Sequence, residues 1–395
     1  MIQIIDSIMG SGKTTWAINY MNSHPEERFI YIAPTLSEVR RICDACTSIG
    51  MIQPSNDVWN KTHSLKKLVY DNNNVATTHA MLARIAVDED FREHLQVNGY
   101  HLILDETVEV LSEVKNLEPG DVSLVLNNLA KCDEETGLVT WTSPEDLKIA
   151  RYVDLKTMAL AGTLVVMANK MFMWLLPYKF LDSMANLTIM TFMFQGSHLS
   201  YYLQAHDKDW VLRYVNNGKL CDGLQDLSDA KKLFREKLHV YDGPMNDIGK
   251  GEHALSATWW KNHTKQGKQV MDNAYNYFRH KMEVSSDKAA WALFKSKNNR
   301  INGYQKCEVP FNSRATNMFI EKNTVAYLVN VFEHPSVREW FNSDRGGNVQ
   351  IDQDSFALCT LLQWLWRFSI RKGEDLYAYI PSSRMRRLLS DWLAG

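Results

Sequence analysis

Apolar residues in this chain gather into short unbroken runs separated by amphipathic stretches. Ile2-Gln3-Ile4-Ile5, Phe29-Ile30-Tyr31-Ile32-Ala33, Asn74-Val75-Ala76-Thr77-Thr78 and Tyr100-His101-Leu102-Ile103-Leu104 read as buried strands. Helical patterns follow at Trp16 to Met21, Leu36 to Cys46 and across His79-Ala80-Met81-Leu82. Strands apolar on both faces, alternating with helices, predict a parallel α/β arrangement. From Glu118 to Ala185 the pattern turns mixed, with a hairpin predicted around Gly137 between Lys131 and Trp141, and Asn186 to Met193 restores a buried strand. Leu199 to Asp247 has no single period. Beyond it, helices are predicted from Thr258 to Phe278, with Ser256 as N-cap ahead of Trp259 and Trp260. A strand opens at Ala289-Ala290-Trp291-Ala292-Leu293-Phe294. A long helix from Phe356 to Ile370, a strand from Leu376 to Ile380 and a basic amphipathic helix from Ser382 to Leu393 close the pattern.

With 395 residues, 45% of them hydrophobic, the chain exceeds what one core comfortably holds. Two domains are expected, 1–200 and 201–395, the first carrying the insertion at about 118–185. A net charge of −2 gives no global basic field, so a nucleic-acid partner would have to be met by a local surface. Among the six cysteines only Cys43 and Cys46 are close in sequence, and with no second pair to complete four ligands they read as reduced thiols. No leader and no membrane span are read from the pattern, which makes a cytoplasmic protein the expectation.

The candidate chemistry starts at Ser7-Ile8-Met9-Gly10-Ser11-Gly12-Lys13-Thr14-Thr15, which lies between the first strand and the first helix. Gly10 and Gly12 permit a tight turn that aims backbone N–H groups at phosphate oxygens, Ser11 and Thr15 flank the cradle, Lys13 reaches the β- and γ-phosphates, and Thr14 offers a hydroxyl to Mg²⁺. Ser7 stands where the eight-residue pattern has its first glycine. Asp105 and Glu106 end an apolar strand, the first suited to Mg²⁺ and the second to orienting and deprotonating water. Downstream, Gln363, Arg367 and Arg371 recur at intervals of four, which places them on one face of the predicted helix and suits them to a γ-phosphate.

In order and spacing, these segments together with Pro34-Thr35, Thr77-Thr78-His79 and Ser313-Arg314-Ala315-Thr316-Asn317 resemble the superfamily 2 helicases. Arg314 to Asn317, Gln363 to Arg371 and Ile380-Pro381-Ser382-Ser383-Arg384-Met385 are similar to the compact phage-type DEAD-like helicases. The resemblance implies two RecA-like domains, each a mainly parallel sheet flanked by helices, with ATP and Mg²⁺ as ligands and an arginine finger at Arg367 or Arg371. It also implies backbone contacts to single-stranded or branched DNA, RNA not excluded, from Pro34, Thr35, Thr77, Thr78, His79, Arg314, Thr316 and Asn317. Trp291 to Lys295 resembles the fourth helicase motif, and Thr191 to Ser197 takes the place of the third without its Ser-Ala-Thr form. Asp105-Glu106-Thr107-Val108 is not the DEAD-box form. A phage-encoded motor of this kind would work in the host cytoplasm beside replication or recombination proteins.

Other readings stay open at this level. A terminase-like packaging ATPase would use Asp352 and Asp354 as nuclease ligands, a small-molecule kinase would need only the phosphate loop, and an ATP-gated binding protein would turn over weakly. Trp141 and the cluster from Met171 to Trp174 could form a strand-separating wedge, and Arg384, Arg386 and Arg387 could grip phosphates.

Overall fold

The alternation of apolar runs and helices builds two mainly parallel sheets, each within its own unit of the chain. The structure is a computed structural model that describes all residues except 56–59, 119, 144–151, 168–170, 295–299 and 314–317. One unit comprises residues 1–7, 11–225 and 334–351, and the other comprises 8–10, 226–333 and 352–395.

In the first unit the strands are β1 (Ile2–Asp6), β2 (Arg28–Ala33), β3 (Val75–Thr78), β4 (Tyr100–Asp105), β5 (Leu111–Glu113), β6 (Ala130–Cys132), β7 (Val139–Trp141), β8 (Leu164–Met167), β9 (Met171–Leu175), β10 (Asn186–Thr191), β11 (Val211–Asn216) and β12 (Lys219–Asp222). Seven of them form a sheet in the order β12-β11-β1-β10-β4-β2-β3, parallel throughout except for the β11–β12 hairpin. Side chains alternate between its faces, as period two demands. Ile4, Ile30, Ile32, Leu102 and Leu104 enter one apolar cluster, and Ile5, Phe29, Tyr31, Ile103 and Met190 enter another.

The predicted hairpin around Gly137 is β6 with β7, and beside it β5, β9 and β8 make a small antiparallel sheet. Phe172 and Met173 of β9 are buried there, so the centre of the supposed wedge is core. The apparently mixed stretch after Leu199 supplies β11 and β12, which the sequence pattern did not resolve as strands.

The second unit holds β13 (Leu238–Val240), β14 (Ala289–Ala292), β15 (Thr324–Tyr327) and β16 (Leu376–Tyr379) in a fully parallel sheet ordered β13-β16-β15-β14. Ser256 begins a helix as expected, its hydroxyl accepting the Trp259 N–H. One element differs from expectation in a way that touches the chemistry. The helix expected to run to Ile370 spans Gln353–Leu365 and then stops, and a 3-10 turn occupies Ser369–Lys372. Phe368 is extended between them, and the Ser369 N–H pairs with the Lys322 carbonyl at 2.9 Å instead of with its own helix. Gln363, Arg367 and Arg371 therefore do not share one helical face.

Candidate nucleotide site

The segment from Ser7 to Thr15 leaves β1 and turns at Gly10 and Gly12, whose φ angles of 81° and 92° belong to the left-handed region that glycine enters without penalty. Gly12 is the N-cap of the helix Lys13–Ser23, and no side chain caps that helix. Its leading N–H groups and positive dipole end thus face a loop that offers them no anionic side chain. The Ser11 hydroxyl is buried and finds no hydrogen-bond partner among the described residues. Lys13, 9% exposed, donates from Nζ to the Ser7 carbonyl at 2.6 Å, which holds the ammonium inside the loop.

Ser7 shows why the pattern's first glycine can be replaced. Its side chain is buried, and Oγ accepts the Val215 N–H of β11 at 2.9 Å, continuing the β1–β11 pairing one step past the last ladder bond. A glycine would leave that N–H unmet.

Two strands away, β4 delivers Asp105 and Glu106 at its carboxyl end, on the side of the sheet where open α/β folds bind ligands. Asp105 is 7% exposed and accepts from the Tyr31 hydroxyl at 2.8 Å and from Thr14 Oγ1 at 3.4 Å. Burial, reinforced by the neighbouring Glu106 charge, pushes its carboxyl up to about 6, while the Tyr31 hydrogen bond and the Lys13 charge pull the other way. Glu106 adopts φ 69°, a left-handed conformation rare outside glycine and asparagine. Its N–H is tied to the Met190 carbonyl at 2.8 Å, and Thr191 Oγ1 donates to its carboxylate at 3.3 Å. Such backbone strain is concentrated where surrounding contacts over-determine it.

Asp6, the last residue of β1, accepts the N–H groups of Met193 at 2.8 Å and Phe194 at 2.9 Å. It joins β1 to the turn after β10, where Met193 is also left-handed. Burial raises the Asp6 carboxyl above its ordinary range against the pull of those two hydrogen bonds. Asp6 and Tyr31 were not among the expected site residues, and Thr191 entered only as the first residue of the segment in the place of the third motif; the sequence signal of Asp6 and Tyr31 is an acid and a phenol set within mainly apolar strands.

The remaining expected positions divide. Pro34 and Thr35 follow β2, and Thr35 caps the helix Leu36–Ala45 by accepting the Glu38 N–H at 3.3 Å. Thr77 is buried at 3% exposure, Thr78 is the residue before the next helix, and His79 places Nε2 2.9 Å from the Asp105 carbonyl. Thr15 is exposed. In the second unit Gln363 is half-buried, Arg367 is 8% exposed and Arg371 is exposed. Arg314, Thr316 and Asn317 lie outside the described residues, as does Lys295.

Asp352 caps the helix Gln353–Leu365 by accepting the N–H groups of Asp354 and Ser355, and Asp354 pairs with Arg384 at 2.7 Å, so both carboxylates already have partners within the second unit. The basic helix Ser383–Ala394 turns its cations inward or onto acids. Arg384, 2% exposed, also donates to Asn330 and the Val331 carbonyl; Arg386 donates to the carbonyls of Ile380 and Pro381; Arg387 lies beside Asp354 and Asp391.

The donor set suits a nucleoside triphosphate with Mg²⁺: an uncapped helix end, a buried free hydroxyl, one lysine, and a threonine facing a carboxylate. Among the described residues no helix is long and apolar enough to cross a membrane.

Comparison with known proteins adds three kinds of likeness. Residues 232–393 match the YonV C-terminal Rossmann-like domain, and residues 111–174 match the YonV middle domain. The SPbeta prophage-derived uncharacterized protein YonV of Bacillus subtilis (strain 168) is 32% identical over 410 residues, covering 99% of this chain and 98% of its own. Among solved structures, an XPD helicase aligns over 99% of this chain and 94% of its own at 11% identity and a TM-score of 0.49. Xpd4 of S. tokodaii does so over 99% and 94% at 10% identity and 0.48. The DUF1998 helicase MrfA bound to DNA and AMPPNP aligns over 99% of this chain and 48% of its own, at 12% and 0.40.

Proposed function

The chain belongs to the YonV family, and from the geometry around Lys13 and Asp105 we propose that it is an ATP-hydrolysing motor that moves on single-stranded or branched DNA. The observation that carries this reading is the meeting of two halves of a phosphate-transfer site: Thr14 Oγ1, next to Lys13, lies 3.4 Å from the Asp105 carboxylate at the end of a parallel strand. A turn that only capped a helix would not need a buried acid opposite its first hydroxyl.

In this reading the N–H groups of Ser11 to Thr14 and the Lys13 ammonium bind the phosphates. Thr14 and Asp105 are the residues that would hold Mg²⁺, which when bound neutralises phosphate charge. Glu106, steadied by Thr191, orients water and takes its proton on the carboxylate. Arg367 or Arg371 supplies positive charge to the phosphate oxygens during turnover, a contribution that elsewhere reaches about three to five orders of magnitude in rate. Asp6 passes changes at the loop to the turn after β10. The prophage origin of the Bacillus subtilis relative supports a role in phage replication or recombination within a bacterial cytoplasm. The occupation of Asp352 and Asp354 by capping and ion pairing weighs against a packaging nuclease.

The test is an ATPase assay on the full chain with no nucleic acid, single-stranded DNA, duplex and forked DNA. Hydrolysis is expected to rise strongly with single-stranded or forked DNA and to vanish in Lys13→Ala. Hydrolysis indifferent to every nucleic acid would end the motor reading, and phosphorylation of a nucleoside or sugar would replace it with a kinase.

A further inference from the structure

We infer that the outer face of the paired helices Ala257–Asn262 and Thr264–Asn276 is a platform on which single-stranded nucleic acid stacks a base and lays its phosphates, an inference that rests on the motor reading. The adjacent tryptophans of the first helix have different occupations. Trp260 donates its indole N–H to the Leu328 carbonyl at 3.1 Å, and its ring lies over Gly267, where a Cβ would come within 3.0 Å of it. That contact locks the two helices together and moors them just beyond β15. Trp259, half-buried against the same apolar cluster as Trp260, is stacked on His263 with centroids 5.2 Å apart and planes 12° apart.

On the same two helices Lys261, Lys265 and Lys268 are exposed, and among the described residues none of the three is in an ion pair. Residues 257–281 hold Lys261, Lys265, Lys268, Arg279 and Lys281 against Asp272 alone, in a chain whose net charge is −2. A lysine-rich helix by itself would be an ordinary solvated face. Here three exposed lysines share two short helices with a flat aromatic pair, and cations with aromatic rings are the combination that unpaired nucleotides use, because every base has a π-face and every linkage a negative charge. The location agrees. Asn330, beyond β15, donates its backbone N–H to the Leu255 carbonyl and its side-chain amide to the carbonyls of Glu252 and Ala254, fixing the lead-in to the helices at the carboxyl end of that parallel strand.

The experiment measures binding of a fluorescent dT oligonucleotide, and in parallel a U oligonucleotide, to the full chain without nucleotide across a salt series. Trp259→Ala should weaken binding about tenfold, while Trp259→Phe, which keeps a ring, should stay near wild type. The combined Lys261→Gln, Lys265→Gln, Lys268→Gln variant should lower the slope of log affinity against log salt by about 2, the value for three lost phosphate contacts on a single strand. Its substitutions are all at exposed positions, so it carries the test if Trp259→Ala fails to fold. Unchanged affinity and salt slope in folded variants would overturn the platform, and so would a wild-type chain that binds neither strand. A chain with DNA-stimulated ATPase but insensitive variants loses only the platform. One that binds with these dependences yet hydrolyses nothing loses only the motor.

Discussion

Asp105 lies inside the first unit with an acid on one side and a phenol on the other, and this placement works against the fold's own stability. Its carboxyl is raised from the usual 3.8 to about 6, chiefly by burial and secondly by Glu106. The folded chain therefore holds a proton there between about pH 4 and 6 that the unfolded chain has released, and stability falls as pH rises through that window. Above it, the ionised carboxylate costs about 3 kcal/mol, taking 1.36 kcal/mol for each pK unit. Asp105→Asn keeps an acceptor for Tyr31 and removes the charge. In chelator-treated protein it should match wild type near pH 4 and melt several degrees higher at pH 8, while losing ATP hydrolysis. Equal melting of the two proteins at both pH values would show that Asp105 is not held as a buried charge.

At the scale of elements, the stretch from β1 through the turn at Gly10 and Gly12 to the first helix is held by side chains that the motif alone does not specify. Ser7 departs from the eight-residue pattern, yet Ser7→Gly should destabilise the protein. It would strand the Val215 N–H and loosen the unfolded chain, together worth about 1–2 kcal/mol, and the urea midpoint should fall with unchanged slope. A variant more stable than wild type would show that β11 does not depend on that hydroxyl. β1, β2, β3, β4, β10, β14 and β16 were legible, because each is written as a short, largely apolar run. β11 and β12 were not, since their residues are largely half-exposed and carry no such run, and β5, β8, β9, β13 and β15 were missed as well, β8 and β15 although fully buried. Lys13, Thr14 and Asp105 were legible from local spacing, whereas Tyr31 and Asp6 gain their roles from partners far along the chain, at Asp105 and at Met193 and Phe194. The helix break before Arg367 was hidden for a related reason. Apolar residues continue through Trp364, Phe368 and Ile370, but Ser369 is claimed by two carbonyls outside the helix, its N–H by the distant Lys322 and its hydroxyl by Asp375. Tertiary hydrogen bonds override the period there.

At the scale of the whole molecule, the first unit is not a continuous length of chain. His334 to Ile351, which the sequence match assigns within the C-terminal Rossmann-like domain, belongs by its contacts to the unit that begins at Met1. Val337, Trp340, Phe341 and Val349 are all buried in that unit's larger core, the Phe341 ring lies 5.8 Å from Tyr201, and Arg345 donates to the carbonyls of Val166 and Glu134. Burial of four such side chains at about 1.5–3 kcal/mol each amounts to roughly 6–12 kcal/mol, comparable with the entire net stability of an ordinary domain, about 5–15 kcal/mol. Removing the segment leaves the apolar surface it covered facing water. A fragment ending at Gln225 should therefore keep helical circular dichroism, bind a hydrophobic dye and melt without a sharp transition. The same fragment carrying residues 334–351 on a flexible linker should recover a cooperative melt and bind nucleotide through Lys13. A fragment 1–225 that melts sharply on its own would mean that the segment only decorates a core already complete. Recovery by the linked segment, and not by a scrambled one of equal composition, would make the chain's return to its first unit a condition for forming the phosphate site.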